Sequence, residues 1–167
     1  MDLLAFDRAT LYYDEAIDDT VLALIKEAGE AYGEEAAATL LARARALVPD
    51  SLLVRVALYR YFFYQHRLDD ALDIAYETLS LVGKRLNFPD DWRRLGSQDL
   101  GRAAARAMGL LRFHLNLLKA AGYLELRRGR LDEGRALLEK LVELDRHDRL
   151  GGRALLALLE PEDAAAA

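Results

Sequence analysis

The 167-residue chain has no cysteine, three histidines and three prolines, a formal net charge of −5, and 53% of its residues in the hydrophobic set. This excludes a disulfide framework and thiolate chemistry, and it allows one domain of ordinary size whose core needs no staples. The opening MDLLAFDRATLYYDE has no basic segment followed by an apolar run, and no stretch is long enough to span a membrane, so a cytoplasmic chain is expected.

Leu, Ala, Arg and Glu dominate, which favours helix along most of the chain. The charge is uneven: net −7 over residues 1–50, +5 over 51–128 and −3 over 129–167. A basic middle between acidic ends argues against nucleic acid, because such a footprint gathers basic residues on one face of a basic domain.

Residues 1–17 hold Leu3, Leu4, Phe6, Leu11, Tyr12 and Tyr13 among acids and read as an N-terminal arm, a short helix or an extended segment laid on the bundle. Asp18-Asp19-Thr20 offers an N-cap for a helix over about 20–31, with Val21, Leu24, Ile25 and Ala28 as its apolar stripe. Gly33 ends it. A second helix over about 34–47 presents Ala37, Leu40, Leu41, Ala44 and Leu47 and stops at Val48-Pro49-Asp50, where proline cannot continue. The third, about 51–65, is apolar nearly all round, from Leu52 to Tyr64, and is expected to be buried on most sides. His66-Arg67 forms a turn into LDDALDIAYETLSLV, the fourth helix.

Pro89, Gly96 and Ser97 in LNFPDDWRRLGSQD then require a turn. From about residue 98 the series Leu100, Ala104, Met108, Leu111, Leu115, Leu118 and Gly122 runs on at threes and fours, predicting one long helix over about 98–128. Gly109 within it costs about 1 kcal/mol relative to alanine. Its Ala104, Met108 and Leu111 face is expected to pack near Leu79 to Leu86. Gly129 supplies a left-handed helix end, and Asp132-Glu133 put negative charge in the first turn of the next helix. That helix carries Leu131, Leu137, Leu138, Leu141, Val142 and Leu144. Asp148 is expected to cap a last helix to about Leu159, with Leu150, Leu155, Leu156 and Leu158 covering the end of the stack, and residues 161–167 read as a tail.

The pair around Leu117 to Asp145 resembles the tetratricopeptide (TPR) repeat: Gly122 and Gly134 stand at its two small-residue places and Leu138 at its large apolar one. Glu125 replaces the usual aromatic and Arg146 the closing proline, whereas the pair ending at Pro49 keeps that proline. Ala37 and Ala71 are 34 residues apart, the TPR period, while Ala71 to Gly134 is 63, one period plus 29. The resemblance implies an all-α, right-handed TPR-like stack of antiparallel helix pairs with about seven helices. Its repeats fall at about 18–50, 51–83 and 115–147, with an elongated hairpin inserted at 84–114 and a capping helix at 148–160. The inserted turn is similar to small TPR-like proteins found in bacterial nitrogen-fixation regions.

No phosphate-cradling glycine loop, zinc-ligand pair or nucleophile elbow is present. His66, His114 and His147 are too far apart to share a metal by helical spacing, and the acidic pairs fall at helix starts where they complement the dipole. An enzyme is not expected, and no cofactor or metal is implied. In the TPR family the first helix of each pair lines a groove, and the partner-binding residues carried over by position are Lys26, Arg60, Phe63, Tyr64, Asn116, Lys119, Tyr123 and Arg127. Ala57 and Ala120 stand where the branch that grips carboxylate-terminated chaperone tails has asparagine and arginine, so that specialisation is not implied. Arg60 is either a groove cation or the partner of an acid on a neighbouring helix. Trp92, the sole tryptophan, either pins the inserted turn or anchors a partner.

The implied function is an adaptor or assembly factor that holds a peptide or helix of a partner protein, acidic or amphipathic, in its groove. The alternatives are a self-associating structural module and a small-ligand sensor or enzyme with a pocket beside the long hairpin.

Overall fold

The computed structural model describes residues 15–33 and 35–159. Among these there are seven α-helices, one 3-10 turn and no strand. Each helix packs chiefly on the helices before and after it in the chain. The expectations for residues 1–14 and 160–167 lie outside the described residues.

The first helix, α1 (Asp19–Glu30), starts where the Asp18 carboxylate accepts the Thr20 N–H at 2.8 Å, and it buries Val21, Leu24 and Ala28. It packs on α2 (Glu35–Leu47), which buries Ala37, Leu41 and Ala44 but leaves Leu47 exposed beyond its last inward turn. In α3 (Leu52–Tyr64) the N-terminal half is buried through Leu52, Val54, Val56, Leu58 and Tyr59. Tyr61, Phe62 and Phe63 are half-covered and Tyr64 is exposed, so the last turn of this apolar helix is open, contrary to the expectation of burial on most sides. The reason lies at its ends: α3 enters under a polar clamp, and its last turn meets its neighbours over only part of its surface. Ser51 Oγ accepts the Val54 N–H and donates to Glu15, whose carboxylate also accepts the Leu52 and Leu53 N–H groups at 3.1 and 3.2 Å. Four-residue N-termini of helices lack intrahelical partners for these donors, and a carboxylate there also complements the dipole.

Behind α3 lies α4 (Leu68–Leu86), whose Ala71 and Ala75 are fully buried. A buried arginine, Arg55, links three helices: it reaches Glu77 of α4 at 2.9 Å and the Pro49 carbonyl at 2.9 Å, while Arg45 of α2 meets the same Glu77 oxygen at 2.6 Å. Asn87 ends α4 in the left-handed conformation, with the Phe88 and Asn87 N–H groups returned to Gly83 and Lys84. The chain turns through the 3-10 segment Trp92–Arg94 into α5 (Ser97–Arg127).

The 31-residue α5 occupies the predicted span, but it is not one regular helix. Ala107 has φ −154° and ψ 65°, which breaks the run. The break falls two residues before Gly109, a weak helix former. It corrects the expected packing face: Leu111 is buried as anticipated, but Met108 is 53% exposed and Ala103, rather than Ala104, is the buried residue before the break.

Gly122 of α5 and Gly134 of α6 (Leu131–Leu144) make the expected close approach. A β-carbon on Gly122 would lie 2.9 Å from Leu138 Cγ, and one on Gly134 would lie 2.8 Å from Leu126 Cγ and 3.0 Å from the Gly122 carbonyl oxygen. Leu131, in the exposed first turn, is not part of the buried stripe. Glu125, where an aromatic was expected, is buried between helices: it accepts the Tyr76 hydroxyl at 2.8 Å and pairs with Arg130. The last helix, α7 (Gly152–Ala157), is shorter than expected because Gly151, in the left-handed region, precedes it in place of Asp148. Asp148 still accepts the Arg153 N–H at 3.1 Å. Leu155 is buried against the core, but Leu158 is 75% exposed and covers nothing.

Candidate functional site

An aromatic strip crosses the C-terminal parts of α1, α3 and α5. Tyr32, just after α1, meets Tyr61 of α3 edge-on with ring centroids 6.4 Å apart. Phe63 stacks on buried Tyr59, meets Tyr64 edge-on at 5.6 Å, and approaches Tyr123 of α5 at 6.3 Å. Arg127, one turn on, donates to the Tyr123 hydroxyl at 3.0 Å and lies over its ring. Between α1 and α3 the strip borders a cavity of about 270 Å³ lined by Ile25, Ala28, Tyr32, Arg60, Tyr61 and Tyr64. Tyr32 and Tyr64 are 49% and 43% exposed, large apolar surfaces left open at its rim.

The α1 and α3 side chains stand together because both helices are short and run on past their last buried residues, Ala28 and Tyr59, while α5 brings Tyr123 up to Phe63. An apolar floor, tyrosine walls and a guanidinium suit an apolar side chain with a carboxylate or hydrogen-bond acceptor beside it. Among the described residues no cluster of three His, Asp or Glu is arranged to hold a metal ion.

The positions carried over from the sequence are brought together only in part. Arg60, Phe63, Tyr64, Tyr123 and Arg127 fall on the strip. Lys26 lies outside it, highly exposed and 3.8 Å from Glu30 one turn along its own helix. Asn116 donates to the Arg112 carbonyl of its own helix at 3.0 Å. Lys119 is half-buried and donates to the Leu150 carbonyl, which ties α5 to the loop before α7; burial there pushes its ammonium pKa down. Sequence reasoning missed Tyr32 and Tyr61. The available signal was recurrence, since Tyr32 precedes the glycine that ends the first helix just as Tyr64 precedes the turn that ends the third.

Trp92 belongs to a second region. It is half-buried against the core, with the Arg93 guanidinium 4.2 Å above its ring. Arg93 in turn grips both oxygens of Glu133 on α6 at 2.7 Å, and Lys140 of α6 donates to the Leu95 carbonyl. The Arg93 and Lys140 bonds hold the inserted turn against α6. Beneath that turn lies a cavity of about 200 Å³ bordered by Tyr76, Ser80, Pro89, Asp90, Trp92 and His114.

The described chain is thus an all-helical protein built of short helical hairpins, with an open tyrosine-lined strip and a second cavity under a pinned turn. No protein-family model and no solved structure matches it. It is 47% identical over 164 residues to an uncharacterised 19.8 kDa protein in the nifW 5' region of Azotobacter chroococcum mcd 1, covering 98% of this chain and 92% of that protein. The chain belongs to the family of that protein. No helix among the described residues is long and apolar enough to cross a membrane.

Proposed function

We infer that the protein is a non-catalytic, cytoplasmic adaptor or assembly factor of TPR-like build that holds a segment of a partner protein against the aromatic strip. One observation carries this reading: Tyr32, 49% exposed, stands with Tyr61 and Tyr64 around a mostly apolar cavity of about 270 Å³. Monomeric proteins seldom leave aromatic surface clustered in this way unless it is used, and tyrosine and arginine dominate the centres of protein interfaces. The TPR-like arrangement draws support from helices that pack in chain order, from the buried Ala37 and Ala71 one period apart, and from the contact of Gly122 and Gly134. The relative's place in a nifW 5' region is in keeping with the nitrogen-fixation setting implied by the resemblance of the inserted turn.

The occupant that fits is an amphipathic segment offering an apolar side chain to the cavity and an acid to Arg127. Capture of partners from extract of the native host by the parent and by Tyr64→Ala with Arg127→Glu tests this. Both sites are exposed, so the double variant should keep its helicity and lose the partner. Undiminished capture at low salt by the folded variant refutes binding at the strip.

A further inference from the structure

His114 is 2% exposed, and neither of its ring nitrogens has a hydrogen-bond partner among the described residues. Its ring is held edge-on to Phe88 at 5.0 Å, with Gly83 beside it, and it borders the cavity under the inserted turn. A neutral imidazole carries one donor and one acceptor, and burying both unpaired is costly, so such a ring is retained either by accident or because something completes it. Burial lowers its pKa to about 4, so the ring is neutral near pH 7 and keeps an acceptor nitrogen.

The rest of the lining is rich in acceptors. The Tyr76 hydroxyl gives its proton to Glu125, which leaves its oxygen as an acceptor. Ser80 adds a hydroxyl and exposed Asp90 a carboxylate, while Trp92 and Pro89 provide flat apolar walls. Two cations stand nearby, and both are already answered: Arg93 by Glu133 and Asp91, and Arg130 by Glu125. About 200 Å³ admits a single ring with a short substituent.

We propose that this cavity binds a small ring-bearing organic cation, an amine or amidine, with Asp90 meeting its charge and His114 accepting a hydrogen bond from it. The ring nitrogens are sealed from solvent, so His114 turns slightly toward the ligand as it enters. The site is separate from the aromatic strip and stands or falls independently of partner capture there.

Long-range nitrogen–proton NMR of the imidazoles, read while the full chain is titrated with benzylamine, benzamidine or histamine near neutral pH, tests the site. At least one of these should move the His114 ring nitrogens saturably while exposed His66 and His147 stay still. Benzoate and benzyl alcohol should bind about tenfold more weakly or not at all, and Asp90→Asn should weaken the amine by a similar factor. His114→Phe keeps the ring contact with Phe88 and removes two unpaired polar atoms, so it should melt no lower than the parent yet lose the ligand. If that variant fails to fold, Asp90→Asn and Ser80→Ala carry the comparison. The proposal is overturned if no amine moves His114 selectively, if benzoate binds as well as benzylamine, or if a folded His114→Phe binds like the parent.

Discussion

At Glu77, burial pushes the carboxyl pKa up, but hydrogen bonds from Arg45 and Arg55 and their charges outweigh it and hold the group below its ordinary value. His114 is depressed from 6.5 to about 4 by burial alone. Both folded-state pKa values lie below the unfolded ones, so both groups contribute stability that is present at higher pH and is lost as pH falls. The windows differ. The histidine acts first, between about pH 6.5 and 4, and its loss should reach on the order of 3 kcal/mol. Glu77 follows below about 4.5. Melting temperature measured against pH should therefore decline from 6.5 downward, and His114→Phe should flatten the upper part of that decline. A parent whose melting temperature is level from pH 7 to 4.5 contradicts this. The glycines allow a second residue-scale test. Alanine normally gains about 1 kcal/mol over glycine inside a helix, and at Gly101, where an added β-carbon meets nothing within 4 Å, it should do so. At Gly134 the same change forces a β-carbon against Leu126 and the Gly122 backbone; overpacking of about 1–3 kcal/mol should outweigh the gain, and chemical denaturation should show destabilisation.

The element most altered from its sequence pattern is α5. Its span, its glycine-marked end at Gly129 and the burial of Leu111, Leu115 and Leu118 were legible, the last because apolar spacing reports which face is inward. The break at Ala107 was not, because neither a proline nor a run of polar residues marks it and Gly109 alone is a weak signal. Leu111→Asp buries an unpaired charge and should cost several kcal/mol, about 3 or more. Met108→Asp, one turn earlier on the exposed side, should stay within about 0.5 kcal/mol of the parent. Equal losses at the two positions contradict the break. Asn87 and Glu15 escaped notice for a related reason. A left-handed asparagine is rarer than a glycine in that role, and a carboxylate capping a helix 36 residues away leaves no local pattern. Glu15→Ala should lower stability by about 1 kcal/mol by uncapping α3, as read by thermal melting with and without the change.

Across the whole molecule, packing between chain neighbours makes most tertiary contacts local. Folding should accordingly be fast for 167 residues, with relaxation in milliseconds or less under stopped-flow dilution. Such a contact pattern was legible from the short turns and the 34-residue period, whereas the site was legible only in part. Position within a pair pointed to Arg60, Phe63, Tyr64 and Tyr123, but whether a lysine such as Lys119 faces outward or reaches a loop carbonyl depends on a segment 31 residues away. The joint between α2 and α3 is the least extensive of those between successive helices, held by Glu15 at one end and by Arg45 through Glu77 at the other. The first hairpin is therefore the unit with least to lose on opening, and its amides should exchange with solvent before those of α4 to α6. The tyrosine-lined cavity straddles that joint, with Tyr32 on one leaf and Tyr64 on the other. Whatever seats there works as a clasp across a hinge: it slows the opening of a hairpin it only partly touches, and deuterium uptake far from the contact reports its arrival.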